Sequence, residues 1–115
     1  MTSEATILRH AKAECKRLGL RFHRMHYGPG SEAGWPDVEV LGPIGHTVGL
    51  TLRMETKAPG KALRPIQKRR RDEIRERGGM WCKPDTKGEV TTDLEAFARI
   101  CLYRDKLLTG AWRNA

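Results

Sequence analysis

The sequence contains three residues whose side chains could together hydrolyse a phosphodiester bond. The strands that the sequence predicts place them close to one another. Asp37 follows Pro36 at the start of one apolar stretch, and Glu55 and Lys57 lie at the end of the next. Two neighbouring carboxylates repel each other and are best satisfied by a hard divalent cation such as Mg2+. A lysine beside that cation can orient a metal-bound water or neutralise charge on a phosphate. The set is therefore that of a metal-assisted hydrolase.

The same residues also have a plain structural interpretation. Acids and lysines are common at strand ends, a Glu-x-Lys triplet often occurs by chance, and Asp37 could cap a turn while Lys57 is solvated. The joint pattern favours the chemical interpretation: Pro-Asp begins one strand, Glu-x-Lys ends the next, and a basic helix follows.

A hairpin must position these residues. Alternating apolar side chains predict strands over 35–41 and 47–57, joined by the turn Gly42-Pro43-Ile44-Gly45. In the second strand one face is apolar, and the other carries Glu55 and Lys57. If the strands pair through this turn, Asp37 and Glu55 lie side by side at one end of the sheet.

The flanking elements complete an α/β arrangement of order αβββαβα, a small mixed sheet with helices on its faces. Helical periodicity covers 4–18, with Thr2 or Ser3 as its cap and Gly19 at its end. An edge strand is predicted over 20–27, a helix over 65–77 and a strand over 80–83. A last helix, capped by Thr92 or Asp93, runs to about Leu108. Its predicted buried face is Leu94, Phe97, Ala98, Cys101 and Leu102. We expect residues 1–115 to form one domain with a loose tail within 104–115.

Net charge favours a polyanionic partner. The 115 residues carry a formal charge of +8, which is typical of nucleic-acid-binding proteins. Ten basic and four acidic residues lie between Arg53 and Arg77, so most of this excess adjoins the candidate site. Trp35 and Trp81 could stack on bases or fill the core. The residues predicted to contact phosphates are Lys61, Arg64, Lys68, Arg69 and Arg71.

Other classes of protein are disfavoured by composition. No run of about 20 apolar residues could span a membrane, and residues 1–14 lack the apolar core of a secretory signal. The three cysteines are far apart in sequence and predict free thiols rather than disulfides or a zinc site. His23 and His26 lie on a predicted strand that points them to opposite faces. A cytoplasmic protein of bacterial or phage origin is expected.

At this point the sequence resembles a known family. The segments GWPD and METKAPGKALRPIQKRRRDEIRERGG are similar to the VRR-NUC domain of the PD-(D/E)xK nuclease superfamily. The resemblance runs from about Glu4 to the last helix and is most specific across 55–79. The family core is an αβββαβ arrangement, which matches the predicted order of elements.

The resemblance implies roles for individual residues. It implies that Asp37, Glu55 and the Thr56 carbonyl bind Mg2+ or Mn2+, that Lys57 is catalytic, and that Gln67 lies near the active site. A glutamate of the first helix completes the site in this family. Glu4 is the match, with Glu14 as the alternative. Thr56 stands where an apolar residue is commoner, which suggests a less buried strand end.

The activity that the resemblance implies is metal-dependent cleavage of DNA according to its structure, as in Holliday-junction resolvases, which act as homodimers. The basic helix alone would also suit a non-catalytic nucleic-acid-binding module. A sequence-specific restriction-type endonuclease is a third hypothesis, although the chain has little room for loops that read bases.

Overall fold

The computed structural model describes residues 3–27, 31–44 and 50–108, with residues 104–108 described as backbone. Its seven elements follow the predicted order αβββαβα. They are α1 (Glu4–Leu18), β1 (Arg21–Arg24), β2 (Val38–Leu41), β3 (Thr51–Met54), α2 (Pro65–Glu76), β4 (Met80–Cys82) and α3 (Lys87–Leu108). The predicted α/β class is confirmed. The first residues of the predicted second hairpin strand, 47–49, lie outside the described residues, as do 109–115 of the predicted tail.

The sheet is mixed and has the order β1-β2-β3-β4. β1 pairs with β2 and β2 with β3 in antiparallel fashion, and β3 pairs with β4 in parallel. The β2–β3 pairing confirms the predicted hairpin, and β1 is an edge strand as expected. The parallel pair needs a crossover, and α2 supplies it.

Helices cover both faces of the sheet. Side chains of α1 and α3 pack on Val38, Val40, Leu52 and Met54, which are buried. The alternation along β2 and β3 turns the neighbouring residues to the opposite face. Trp81 of β4 lies on that second face, where the guanidinium groups of α2 stack on its ring. The core therefore lies between the sheet and the α1–α3 pair.

The first helix forms as its sequence predicts. The Ser3 side chain accepts a hydrogen bond from the Thr6 backbone N–H at 3.1 Å, which identifies Ser3 as the cap. Gly19 ends the helix with φ 72°, a left-handed conformation that glycine adopts without strain. Ile7, Ala11 and Cys15 form the buried stripe.

The last helix begins at Lys87, at least six residues earlier than predicted, so the expected caps Thr92 and Asp93 are wrong. Thr86 accepts from the Glu89 backbone N–H at 3.1 Å and caps the helix, a Thr-x-x-Glu pattern that the apolar periodicity obscured. The earlier start adds Val90 to the core. Leu102, expected to be buried, is 46% exposed, whereas Leu94, Phe97 and Cys101 are buried.

The cysteines are free thiols, as predicted: Cys15 and Cys101 are buried and Cys82 is half-buried. Burial raises the pKa of the Cys15 thiol to about 12, which suits a packing role. Within the described ranges, no helix is long and apolar enough to cross a membrane.

The loop before β2 packs tightly against α2 at Gly34. This glycine has φ 86°, and a Cβ there would lie 2.7 Å from Cγ1 and 2.8 Å from the carbonyl oxygen of Ile66. Gly60 also has a positive φ, 77°, but no atom lies within 4 Å of its hypothetical Cβ. Gly34 thus permits a close approach that no other residue type allows.

We expect Gly34→Ala to destabilise the protein by about 2–4 kcal/mol, because left-handed strain adds to overpacking. Gly60→Ala, the matched control, should cost only about 1–2 kcal/mol from strain alone. Urea denaturation of both variants measures the difference. Equal losses would contradict the close packing at Gly34.

Candidate active site

The ends of β2 and β3 bring Asp37 and Glu55 together. Val38 pairs with Met54 in the antiparallel register, and the two acids stand one residue beyond this pair. The Met25 N–H donates to the Asp37 carbonyl at 2.8 Å, and the Glu55 N–H donates to the Cys82 carbonyl at 3.0 Å. Neighbouring strands thus hold the backbone at both acids.

Thr56 orients the Asp37 carboxylate. Its hydroxyl donates to Oδ2 at 3.1 Å and its backbone N–H approaches Oδ1 at 3.4 Å. Thr56 is fully buried, so the expectation of a less buried strand end is wrong. The polar side chain stands at this position because it satisfies a carboxylate that is itself largely shielded from water.

Gln67 and Lys57 both reach Glu55. The Gln67 amide donates from Nε2 to Glu55 Oε1 at 2.7 Å, while its Oε1 accepts from the Arg64 backbone N–H at 2.9 Å. Lys57 Nζ lies 3.7 Å from the same Glu55 oxygen. Glu55, Lys57 and Gln67 are all buried, although acids and lysines are rarely buried unless paired. Side chains from two segments, the end of β3 and α2, therefore meet at one carboxylate.

The two carboxylates are electrostatically strained. Burial raises the pKa of Asp37 despite the hydrogen bonds from Thr56. Burial, followed by the charge of Asp37, raises the pKa of Glu55 to about 7, although Lys57 opposes the shift. The effect of desolvation on the pKa of Glu55 is therefore larger than the opposing effect of the positive charge of Lys57.

This donor set fits a divalent cation with oxygen ligands. Mg2+ is commonly held by one or two carboxylates and keeps several waters. Asp37 and Glu55 would hold it, and its charge would offset the repulsion from Asp37 that adds to the effect of burial on the pKa of Glu55. Among the described residues no group of three or more His, Cys, Asp and Glu side chains is arranged as a metal cluster, and Asp37 and Glu55 are the two carboxylates that the strand register brings together.

The two glutamates of α1 lie in different surroundings. Glu4 lines a cavity of about 290 Å3 together with Arg24, Asp37 and Thr56. Glu14 instead accepts from Thr91 at 2.8 Å and pairs with Arg17. Glu14 therefore belongs to the α1–α3 contact, and Glu4 is the glutamate of α1 beside the candidate site.

The residues predicted to contact phosphates differ in their solvent exposure and in their contacts within the protein. Arg71 is half-buried, lies over the Trp81 ring at 5.9 Å and pairs with Asp72 at 2.9 Å. Trp81 is thus covered by arginine rather than open to bases. The side chains that remain exposed are Lys61, Arg64, Lys68 and Arg69.

Arg70 is a residue whose role the sequence did not reveal. Its guanidinium donates to the Ala33 carbonyl at 2.9 Å, pairs with Glu32 and Glu73, and lies 4.8 Å from the Trp35 ring centre. It ties the segment leading to Asp37 onto α2, one turn from Gln67. One helix thus supports both carboxylates. Position within a run of four bases gave no signal for this role.

Comparison with known proteins identifies the fold. No protein-family model and no curated protein matches the chain. A solved structure described as a VRR_NUC domain has a TM-score of 0.69 and 24% identity, covering 83% of this chain and 97% of its own. Another, described as a VRR_NUC domain protein, has a TM-score of 0.62 and 20% identity, covering 82% and 86%. The fold is that of a VRR-NUC domain, as the resemblance implied.

Proposed function

We propose that the protein is a metal-dependent nuclease whose site is formed by Asp37, Glu55 and Lys57. The observation that supports this most is the pair formed by the half-buried Asp37 and the buried Glu55, both with raised pKa values, beside one buried lysine and one buried glutamine. A pure binding module has no physical reason to keep acids desolvated beside a basic helix. Groups with perturbed pKa values cluster at functional sites.

Each residue has a distinct role in the proposed reaction. A bound Mg2+ or Mn2+ would polarise the phosphodiester and lower the pKa of its bound water. Thr56 orients the carboxylate of Asp37 and Gln67 orients that of Glu55, as hydrogen-bond partners usually orient metal ligands. The Lys57 ammonium neutralises charge that develops on the phosphate or moves a proton at the attacking water. Glu4 and the Thr56 carbonyl complete the proposed oxygen ligands.

The proposed substrate is DNA, recognised by shape. The exposed bases Lys61, Arg64, Lys68 and Arg69 adjoin the site and suit sugar–phosphate contacts, which carry no sequence information. A branched duplex cut by a homodimer is the form that we propose, because a two-fold pair would present two sites for two strands.

Cleavage of a labelled four-way junction beside the linear duplex tests this proposal. We expect cutting of the junction with Mg2+ or Mn2+, none with EDTA, and none by Asp37→Asn. Glu76→Gln, an equivalent change at an exposed position, is the matched control and should cut normally. Gel filtration of the same samples reports the dimer.

Salt-sensitive binding without cleavage under any divalent metal would instead identify a non-catalytic module. A defined set of fragments from plasmid DNA would indicate a sequence-specific endonuclease. Cleavage of RNA in place of DNA would change the substrate but keep the site.

A further inference from the structure

A second basic groove lies between α1 and β1, away from the basic residues of α2. Its volume is about 610 Å3, and no acid among the described residues lines it. Leu20, Phe22, Ala13 and Cys15 contribute apolar surface. The cations that line it are Arg9, Lys12, Lys16 and Arg21.

Of these cations, only Arg9 makes a side-chain hydrogen bond within the described part of the chain, donating to the Thr6 hydroxyl at 3.3 Å. None of the four forms an ion pair with a described residue, whereas Arg17, on the flank of α1 that faces α3, pairs with both Glu14 and Glu95. Lys12, Lys16 and Arg21 are exposed. Four positive charges that form no ion pair with a described residue, placed around an apolar floor, repel a second copy of this basic chain and favour a polyanion.

The groove continues from the candidate site along one flank of α1. Glu4, Ala5 and Leu8 line the cavity at Asp37, and Arg9, Lys12 and Lys16 line the groove. The rise of an α-helix places Arg9 and Lys16 about 10 Å apart, which is about three nucleotide steps of one strand. A strand that leaves the site on this side meets the groove at once.

The groove and the basic part of α2 flank the site from opposite edges of the sheet. α1 packs beside β1, α2 packs beside β4, and these strands are the two edges. Asp37 and Glu55 lie at the ends of the two central strands, between them. A nucleic acid that touches both surfaces must change direction at the site.

We propose that the α1–β1 groove binds the sugar–phosphate backbone of a second nucleic-acid arm, which diverges at the point of cleavage from the arm held by α2. This inference rests on the proposed nuclease function, because the nuclease site defines the point at which the two arms diverge. Lys12, Lys16 and Arg21 contact phosphates, and the half-buried Phe22 offers an aromatic face to an unstacked base at the branch. This groove favours a branched substrate over a straight duplex.

Binding measured without turnover tests the groove. The double variant Lys12→Gln/Lys16→Gln removes two charges and keeps good helix formers. Fluorescence anisotropy with a three-way junction and with its linear duplex, in Ca2+ and from about 50 to 200 mM salt, gives the slope of log K against log salt. We expect the slope for the junction to fall by about 2, one for each phosphate contact, and the slope for the linear duplex to stay the same.

The matched control, Lys87→Gln/Arg99→Gln, removes two charges from exposed positions on α3 and should leave both slopes unchanged. Thermal unfolding checks that all variants fold. Unchanged slopes in the Lys12/Lys16 variant would overturn the proposal and favour an acidic protein partner for the groove. An equal fall for linear duplex would also overturn it, because the groove would not hold a separate arm.

The result is independent of catalysis. If the wild-type protein cuts nothing, the salt slopes still decide whether the groove binds a branch, and the nuclease proposal alone fails. If cleavage persists in the double variant but no longer prefers branched DNA, the site and the groove are both supported.

Discussion

Replacing Lys57 with methionine is expected to lower the rate of DNA cleavage by about 10²–10⁴-fold, the range for losing a group that moves a proton or offsets charge in the transition state. Methionine fills the buried space but carries no charge. DNA binding should be almost unaffected, because Lys57 is buried and lies 3.7 Å from Glu55 rather than on the surface. Single-turnover cleavage and anisotropy on the same junction separate the two effects.

Lys61→Met is the matched control, because Lys61 is exposed four residues away. It should weaken binding and leave cleavage by bound enzyme nearly unchanged. Lys57→Arg distinguishes the two roles of the lysine, since arginine keeps the charge and cannot release a proton. Full activity of Lys57→Met would remove this residue from the mechanism.

Replacing Glu55 with glutamine is expected to remove the contribution of this residue to the pH dependence of metal-free stability between about 4.5 and 7. Burial raises the pKa of Glu55 from 4.5 to about 7 in the folded protein. The folded state therefore binds this proton more tightly than the unfolded chain does, and stability falls as pH rises through that interval. The shift corresponds to a loss of at most about 3 kcal/mol.

The same variant should lose metal binding. At pH 8 the metal-free Glu55→Gln protein should be more stable than the wild type, because the desolvated Glu55 carboxylate and its repulsion with Asp37 are removed. Mg2+ or Mn2+ should raise the melting temperature of the wild type and leave that of the variant unchanged, because only a ligand that binds the folded state stabilises it. Chemical denaturation across pH, with EDTA and with metal, measures both effects.

The matched control for this variant is Glu76→Gln, an equivalent change at an exposed position. It should retain the pH dependence and the response to metal. A wild-type protein whose metal-free stability does not fall between pH 4.5 and 7 would contradict the desolvation of Glu55.

Local sequence patterns predicted most of the elements because their signals are local. α1 needed only a cap, an apolar stripe and a terminal glycine, all within 17 residues of one another. The β2–β3 hairpin followed from period-two alternation around a Gly-Pro turn. The start of α3 was predicted wrongly because the Thr-x-x-Glu cap at Thr86 competed with cap candidates six and seven residues later, Thr92 and Asp93.

The chemistry at the site was predictable in kind. Asp37, Glu55 and Lys57 are residue types with few roles other than charge, and register alone places the first two together. The position of Gln67 near the active site was implied by the family resemblance. Its hydrogen bond to Glu55 depends on where α2 packs. The α1 acid was left open because Glu4 and Glu14 are both on the helix, and only the packing of α1 against α3 separates them.

The sequence by itself determined the order of elements, the pairing of the two acids and the basic character of the chain. Only the tertiary structure decided which basic side chains contact other residues of the protein and which face solvent. Arg70 and Arg71 stack on Trp35 and Trp81 and pair with nearby acids, whereas Lys12 and Lys16 line an open groove. The physical reason is that desolvation and pairing depend on neighbours distant in sequence, so the same residue type binds the protein in one place and is left for a ligand in another.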